Sequence, residues 1–325
     1  MHVRAVIAER LGGPEVLKLT ERDTPEPGPG QLLVDVAAAG VNFADIYRRQ
    51  GSPPYPRDVP YVAGMEGSGT VAAVGPGVEG PGVGARVAWS GGEGSYAEQI
   101  IVPADRAIPV PDGVGLEVAA AIMLQGMTAH YLSHDTYPIA EGDRVVVHAA
   151  AGGVGLLLTQ MAKMRGGVVI ATTSTPQKAE LARAAGADFI AGYDDFGVVV
   201  RDVTGGEGAA VVYDGVGQAT FDDGLAALRR RGYMVLYGAA SGAVPPVDPQ
   251  RLNTGGSLFL TRPTLASYTA TREELLARAN DLFRWIRQGR LEVRIGGRYP
   301  LDQAARAQED LAARQTTGKL ILLSR

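Results

Sequence analysis

The first hundred residues alternate short apolar runs with clusters of turn residues. Apolar or alternating segments occupy residues 3–8, 32–38, 69–74, 86–87 and 96–101, and Pro/Gly-rich stretches at 25–30 and 75–84 separate them. Runs of this length bounded by turn signals predict β-strands. Only residues 42–49 read as a helix in this region. The spacing predicts a small, bent, mostly antiparallel barrel.

From about residue 117 the rhythm changes. Residues 117–132 predict a helix, and strands then alternate with helices: strand 145–148, helix 154–165, strand 168–172, helix 177–185 and strand 188–190. Strand 211–214, helix 221–228 and strands 232–237 and 257–260 continue the pattern. Val-rich strands between Ala/Leu-rich helices predict a parallel sheet covered on both faces. An amphipathic helix at 273–288 follows, then a short segment at 291–293, a helix at 301–314 and a strand at 319–323. That last strand is a candidate to return to the barrel and close it.

Composition narrows the picture. The 325 residues, 46% of them hydrophobic, suit two domains better than one. Net charge is −4 with acids and bases interspersed. The one tight basic run, Arg229-Arg230-Arg231, reads as the solvated end of a helix, so nothing points to nucleic acid. There is no Cys, which excludes disulfides, thiolate nucleophiles and thiolate-bound metals. His130 and His134 have i,i+4 spacing but no HExxH around them, and they are read as sharing a helix face. With no signal peptide and no apolar run of 18 residues, a cytoplasmic protein without a membrane segment is expected.

The chemistry begins at His148–Leu158, HAAAGGVGLLL, where Gly152, Gly153 and Gly155 stand between a Val-rich strand and an apolar helix. Small residues at that junction let helix N–H groups approach a pyrophosphate, whose charge the helix dipole favours. The strict GxGxxG is replaced by AAAGGVG. The next strand ends Ala171-Thr172-Thr173-Ser174-Thr175, followed by Gln177 and Lys178, with no acid. An NAD enzyme places a carboxylate there for the ribose hydroxyls, whereas hydroxyls and an ammonium suit the 2′-phosphate of NADP. Asp214-Gly215-Val216-Gly217 and Tyr237-Gly238-Ala239 follow further strands, and ligands of such sheets lie beyond the carboxyl ends of strands.

Motifs along nearly the whole chain carry a resemblance. They include Gly12-Gly13-Pro14-Glu15-Val16-Leu17, Gly40-Val41-Asn42-Phe43-Ala44-Asp45-Ile46-Tyr47, Gly64-Met65-Glu66-Gly67-Ser68-Gly69 and Gln125-Gly126-Met127-Thr128-Ala129. Ala149-Ala150-Ala151-Gly152-Gly153-Val154-Gly155, Tyr213-Asp214-Gly215-Val216-Gly217, Thr261-Arg262-Pro263 and Thr317-Gly318-Lys319 complete the series. With these the chain resembles the quinone oxidoreductase (zeta-crystallin-like) branch of the zinc-independent medium-chain dehydrogenase/reductase family.

The resemblance implies an α/β Rossmann dinucleotide-binding domain plus a GroES-like, mostly β catalytic domain. Residues 1–124 would form the catalytic domain, 125–265 the NADPH domain, and 266–325 a segment returning to the catalytic domain. In zinc-bearing relatives a Cys stands at the position of Asn42 and a His at that of Met65, so the resemblance implies chemistry without zinc. NADPH is the implied cofactor, bordered by Asn42, Thr128, Gly152, Gly153, Val154, Ser174, Lys178, Tyr193, Tyr237, Gly238, Ala239, Thr317, Gly318 and Lys319. Tyr47 and Tyr55 would line the substrate cleft between the domains.

The expected reaction is reduction of a quinone by hydride or single-electron transfer. Asn42 would donate an N–H to a cofactor or substrate oxygen, or stabilise a turn. Tyr47 would donate to the substrate or fill an apolar wall, and Asp45 would act as a general acid or a structural hydrogen-bonding group. Water would supply the proton. A reductase of α,β-unsaturated aldehydes or ketones is the alternative, and a non-catalytic NADPH-binding or RNA-binding protein the reading from another class. The resemblance implies a homodimer, and residues 256–261, GSLFLT, are the candidate edge strand.

Overall fold

The computed structural model describes residues 2–53, 55 and 58–324. The chain first lays down β1 (His2–Ala8), β2 (Leu17–Asp23) and β3 (Gln31–Val41), then α1 (Phe43–Gln50). β4 (Tyr61–Val62), β5 (Glu66–Val74), β6 (Arg86–Ser90), β7 (Gln99–Pro103) and β8 (Ile108–Pro109) follow, and α2 (Leu116–Tyr131) ends this part. Two compact units result. One holds the residues up to Leu124 together with those from Thr269 on, and the other holds Gln125–Tyr268.

In the first unit β3 is the central strand, paired antiparallel with β5 and β7. Its burial explains its length. Leu32, Val34 and Val36 fill one core with Val71, Val87, Trp89, Ile100 and Val102. Successive strand side chains point to opposite faces, so these even-numbered residues share one. The β3–β5 register slips between Val36 and Ala38, and beyond it the odd-numbered Ala39 and Val41 join a second core with Val6, Tyr96, Leu320 and Leu322. The extra residue thus flips the inward parity and bends the strand, letting it line two cores.

The second unit contains β9 (Arg144–Val147), α3 (Gly153–Met164), β10 (Val168–Thr172), α4 (Pro176–Ala184), β11 (Phe189–Ala191), α5 (Phe196–Thr204) and β12 (Ala209–Asp214). α6 (Phe221–Ala226), β13 (Leu228–Leu236), α7 (Gln250–Thr254), β14 (Phe259–Thr261) and α8 (Leu265–Tyr268) complete it. All its strands pair in parallel, in the order β11-β10-β9-β12-β13-β14. This is the doubly wound dinucleotide-binding order 3-2-1-4-5-6, with its switch point between β9 and β12. Val145, Val146 and Val147 are fully buried, as expected of a central strand covered on both faces.

The chain then rejoins the first unit with α9 (Arg272–Arg287), β15 (Ile295–Pro300), α10 (Ala304–Ala312) and β16 (Lys319–Leu323). β16 pairs antiparallel with β3, Leu320 opposite Val41, and β15 lies parallel beside β16. α9 opens on a capping box. The Thr271 hydroxyl accepts the Glu274 N–H at 3.1 Å, and the Glu274 carboxylate accepts the Thr271 N–H at 3.0 Å.

Some local expectations are corrected. Arg229-Arg230-Arg231 does not end a helix, because α6 stops at Ala226 and the triplet lies on β13. The β12–β13 register shifts there, and the exposed irregularity tolerates three charges. The strand β15 at Ile295–Pro300 was not expected.

Candidate functional site

Each unit carries a polar constellation at its candidate site. In the second, the junction after β9 is shaped by burial. His148 is fully buried, its Nδ1 2.9 Å from the Thr172 hydroxyl and its ring edge-on to Phe196 at 4.8 Å. Burial lowers its pKa, which favours the neutral ring. Ala149 takes a left-handed φ of 50°, and the chain turns into α3 through Gly152, an extended N-cap residue with no side chain to cap the helix. No acid occupies the first turn. The N–H groups of Gly153, Val154 and Gly155 therefore present partial positive charge at the helix start, a bed that suits a pyrophosphate. Gly155 is required by close approach: a Cβ there would meet the Ala149 carbonyl and lie 2.7 Å from Ala150 Cα.

At the end of β10, Thr172 and Thr173 are buried and Ser174 is exposed. Thr175 caps α4 by accepting the Lys178 N–H at 3.2 Å. That cap places the Lys178 ammonium 3.4 Å from the Ser174 hydroxyl. A hydroxyl and an ammonium on an acid-free strand end fit a phosphate on the ribose. Tyr193 follows β11 and its ring lies 6.2 Å from that of His148. After β12, Asp214 Oδ1 accepts the N–H groups of Val216 at 2.7 Å and Gly217 at 2.9 Å, and Oδ2 accepts the Thr220 hydroxyl at 2.9 Å. Asp214 is thus a turn anchor. Its carbonyl accepts the Tyr237 N–H at 2.8 Å, fastening Tyr237, Gly238 and Ala239 to that turn. Parallel pairing sets all these strand ends on one edge of the sheet; Thr128, buried on α2, comes from outside it.

The first unit holds a buried polar cluster where β3, β5 and β16 meet. The Lys319 ammonium donates to Asn42 Oδ1 at 2.7 Å and to Glu66 Oε1. Asn42 Nδ2 donates to the same Glu66 oxygen at 2.7 Å and, over 3.4 Å, to the Gly40 carbonyl. Glu66 Oε2 accepts the Leu124 N–H at 2.6 Å. Asn42, Glu66 and Lys319 are each no more than 2% exposed. The cluster fits because residue 40 has no side chain: a Cβ there would lie 2.7 Å from Lys319 Cε and collide with the Glu66 carboxylate.

Asp45 lies beside this cluster. Its Oδ2 accepts the Asn42 N–H at 2.9 Å and the Tyr96 hydroxyl at 3.0 Å, so it holds the start of α1. Among the described residues its Oδ1 has no hydrogen-bond partner. Burial pushes the carboxyl up to about 6, against the pull of the Asn42 N–H, Lys319 and Tyr96. On α1, Phe43 and Tyr47 sit one turn apart with ring centroids at 6.2 Å, and Tyr55 stacks on Tyr47 at 5.9 Å. These three rings form one aromatic face.

The tail residues make their contacts within the first unit. The Lys319 side chain turns inward to Glu66 and Asn42, so its ammonium is spent within the first unit. Thr317 accepts from Arg294 Nε at 3.3 Å, and Gly318, with φ of 63°, makes the turn into β16. Sequence reasoning missed Glu66 and Tyr96 as site residues. For Glu66 a signal existed: it is the lone charge in the Gly/Ser-flanked run 64–69.

Comparison with known proteins bears on both units. Residues 28–112 match the alcohol dehydrogenase GroES-like domain and residues 153–283 the zinc-binding dehydrogenase domain. The chain is 44% identical to a quinone oxidoreductase of Pseudomonas aeruginosa, over 96% of this chain and 97% of that one. It is 40% identical to a 2-haloacrylate reductase of a Burkholderia species, over 99% of each. A mycobacterial protein solved in complex with NADPH superposes with a TM-score of 0.95 at 50% identity, covering 99% of both chains. Fold and site define a medium-chain dehydrogenase/reductase with GroES-like and Rossmann-type parts. Within that class the chain belongs to the quinone oxidoreductase family.

Proposed function

We propose that this protein is an NADPH-dependent, zinc-independent quinone reductase. The observation that carries the reading is the Ser174–Lys178 pair on an acid-free strand end, next in the sheet to the glycine start of α3. When bound, NADPH supplies the hydride. The N–H groups of Gly153, Val154 and Gly155 take the pyrophosphate, and Lys178 with Ser174 takes the 2′-phosphate. Phe43, Tyr47 and Tyr55 offer the flat acceptor an aromatic face. The Asn42 carboxamide donates to the acceptor oxygen; its longer bond, to the Gly40 carbonyl, is the one such an oxygen would replace. Neither Asn42 nor Met65 is a zinc-binding side chain of the usual kind, and among the described residues no three His, Cys, Asp or Glu side chains gather to hold a metal.

A second reading, reduction of an activated C=C bond beside a carbonyl, is supported by similarity to the 2-haloacrylate reductase nearly equal to that for the quinone oxidoreductase. NADPH oxidation with 1,4-benzoquinone, a naphthoquinone and an alkenal separates the two. Tight NADPH binding without turnover of any of them would overturn both. The chain would act as a cytoplasmic homodimer that joins β14 edges. β14 is the last strand of its sheet and Phe259 on it is 49% exposed. No helix among the described residues is long and apolar enough to cross a membrane.

A further inference from the structure

A primary carboxamide is nearly symmetric in shape, and rotating it by half a turn exchanges a hydrogen-bond acceptor for a two-proton donor. Packing alone holds such a group in its plane without deciding which end is which. Around Asn42 the decision is electrostatic. On the Oδ1 side stands the Lys319 ammonium, a group that only donates, at 2.7 Å. On the Nδ2 side stands a Glu66 carboxylate oxygen, which when ionised only accepts, also at 2.7 Å. Turned over, the amide would set its NH2 against the ammonium and its oxygen against the carboxylate, in a buried site whose low dielectric strengthens the clash.

Both partners are themselves fixed. Glu66 is pinned by the Leu124 N–H on its other oxygen, and Lys319 by the pairing of β16 with β3. Nor does stability account well for the pair, because a buried Lys–Glu pair is often no more stable than apolar residues of the same volume. The room left by Gly40, the inward turn of Lys319 and the polarity of the two contacts converge on one amide.

We infer that Glu66 and Lys319 are positioning residues: their ion pair locks the Asn42 carboxamide with its N–H end presented to the acceptor. The inference rests on the assignment of Asn42 to the acceptor oxygen. Lys319→Met, Glu66→Gln, Asn42→Ala and the double variant Asn42→Ala/Lys319→Met test it in the full chain. Lys319→Met should lower kcat about tenfold or more, with the KM for NADPH unchanged. In the Asn42→Ala background the same change should lower kcat by less than about twofold, since the group it acts through is gone. Losses that multiply in the double variant would overturn the inference, as would full kcat in Lys319→Met.

Glu66→Gln keeps the volume but replaces one accepting oxygen with a donor NH2 and removes the charge, and so gives the same reading if Lys319→Met does not fold. A second readout needs no substrate. In deuterated protein, the Asn42 side-chain amide, identified by its disappearance in Asn42→Ala, should give two separate, slowly exchanging proton signals. Both should move to fast exchange in Lys319→Met or Glu66→Gln, and an unchanged amide would refute the lock. A wild type inactive with every quinone and enone would overturn the proposed function and the catalytic half of this inference, while the amide signals would still decide whether the lock exists.

Discussion

The ammonium of Lys178 lies 3.4 Å from the hydroxyl of Ser174, one helical turn back along the chain, and no carboxylate occupies residues 172–179. A charge-assisted hydrogen bond from that ammonium to a bound phosphate would contribute about 1.5–3 kcal/mol. Lys178→Glu both removes it and opposes a phosphate. The affinity for NADPH is therefore expected to fall by about two orders of magnitude, while that for NADH changes little. Fluorescence titration with both nucleotides checks this, and equal losses would show that Lys178 does not read the 2′-phosphate.

Gly155 sets how closely α3 approaches the loop before it. An added Cβ would lie 2.7 Å from Ala150 Cα, a backbone atom that no side-chain rotation can move away. Overpacking costs about 1–3 kcal/mol. Gly155→Ala should lower the melting temperature by several degrees and weaken NADPH binding together, because the same shift displaces the N–H groups. An unchanged melting temperature would contradict the close approach.

Burial raises the Asp45 carboxyl from its ordinary 3.8 to about 6 in the folded protein. Between those values the folded state holds a proton that the unfolded state has lost, so stability from this group falls as pH rises from about 4 to 6. His134 works in the opposite sense: burial brings it down from 6.5 to about 4, so over that range its contribution rises with pH. Comparing Asp45→Asn with the wild type isolates the first effect. The variant's melting temperature relative to wild type should climb from pH 4 to 6 and then level off. A constant difference across that range would refute the raised carboxyl.

Phe259 stands on the edge strand of the parallel sheet, half exposed. If β14 edges join two copies, Phe259→Glu brings like charges together across the two-fold axis. Light scattering coupled to gel filtration should then give the mass of one chain for the variant and of two for the wild type. A wild type that elutes as one chain would dismiss the dimer.

The strand-turn-helix unit of the proposed nucleotide cradle was legible in the sequence because it is local. The strand, glycine turn, helix start and Lys178 all fall within residues 144–178, and β9 and β12 are apolar runs of the kind a covered parallel strand carries. β2 was not legible. After Leu17 every residue of the strand is exposed, so no apolar alternation marks it. β15 hid behind Gly296 and Gly297, which break any periodicity. The polar cluster hid for another reason: Glu66 and Lys319 are 253 positions apart, and only the return of β16 to β3 makes them neighbours. No local pattern announces a partner so distant.

That separation also orders events during synthesis. Asn42 and Glu66 leave the ribosome early, whereas Lys319 emerges only after the whole of Gln125–Tyr268 has been made. At roughly 5–20 residues per second, the wait lasts some tens of seconds. Until β16 arrives, the edge of β3 over residues 38–41 lacks its partner strand and the Glu66 carboxylate lacks the Lys319 ammonium. The nucleotide-binding unit, continuous in the chain, has no such wait. The unit that holds Asn42 and Glu66 therefore completes its polar cluster only after the unit between Glu66 and Lys319 has been made.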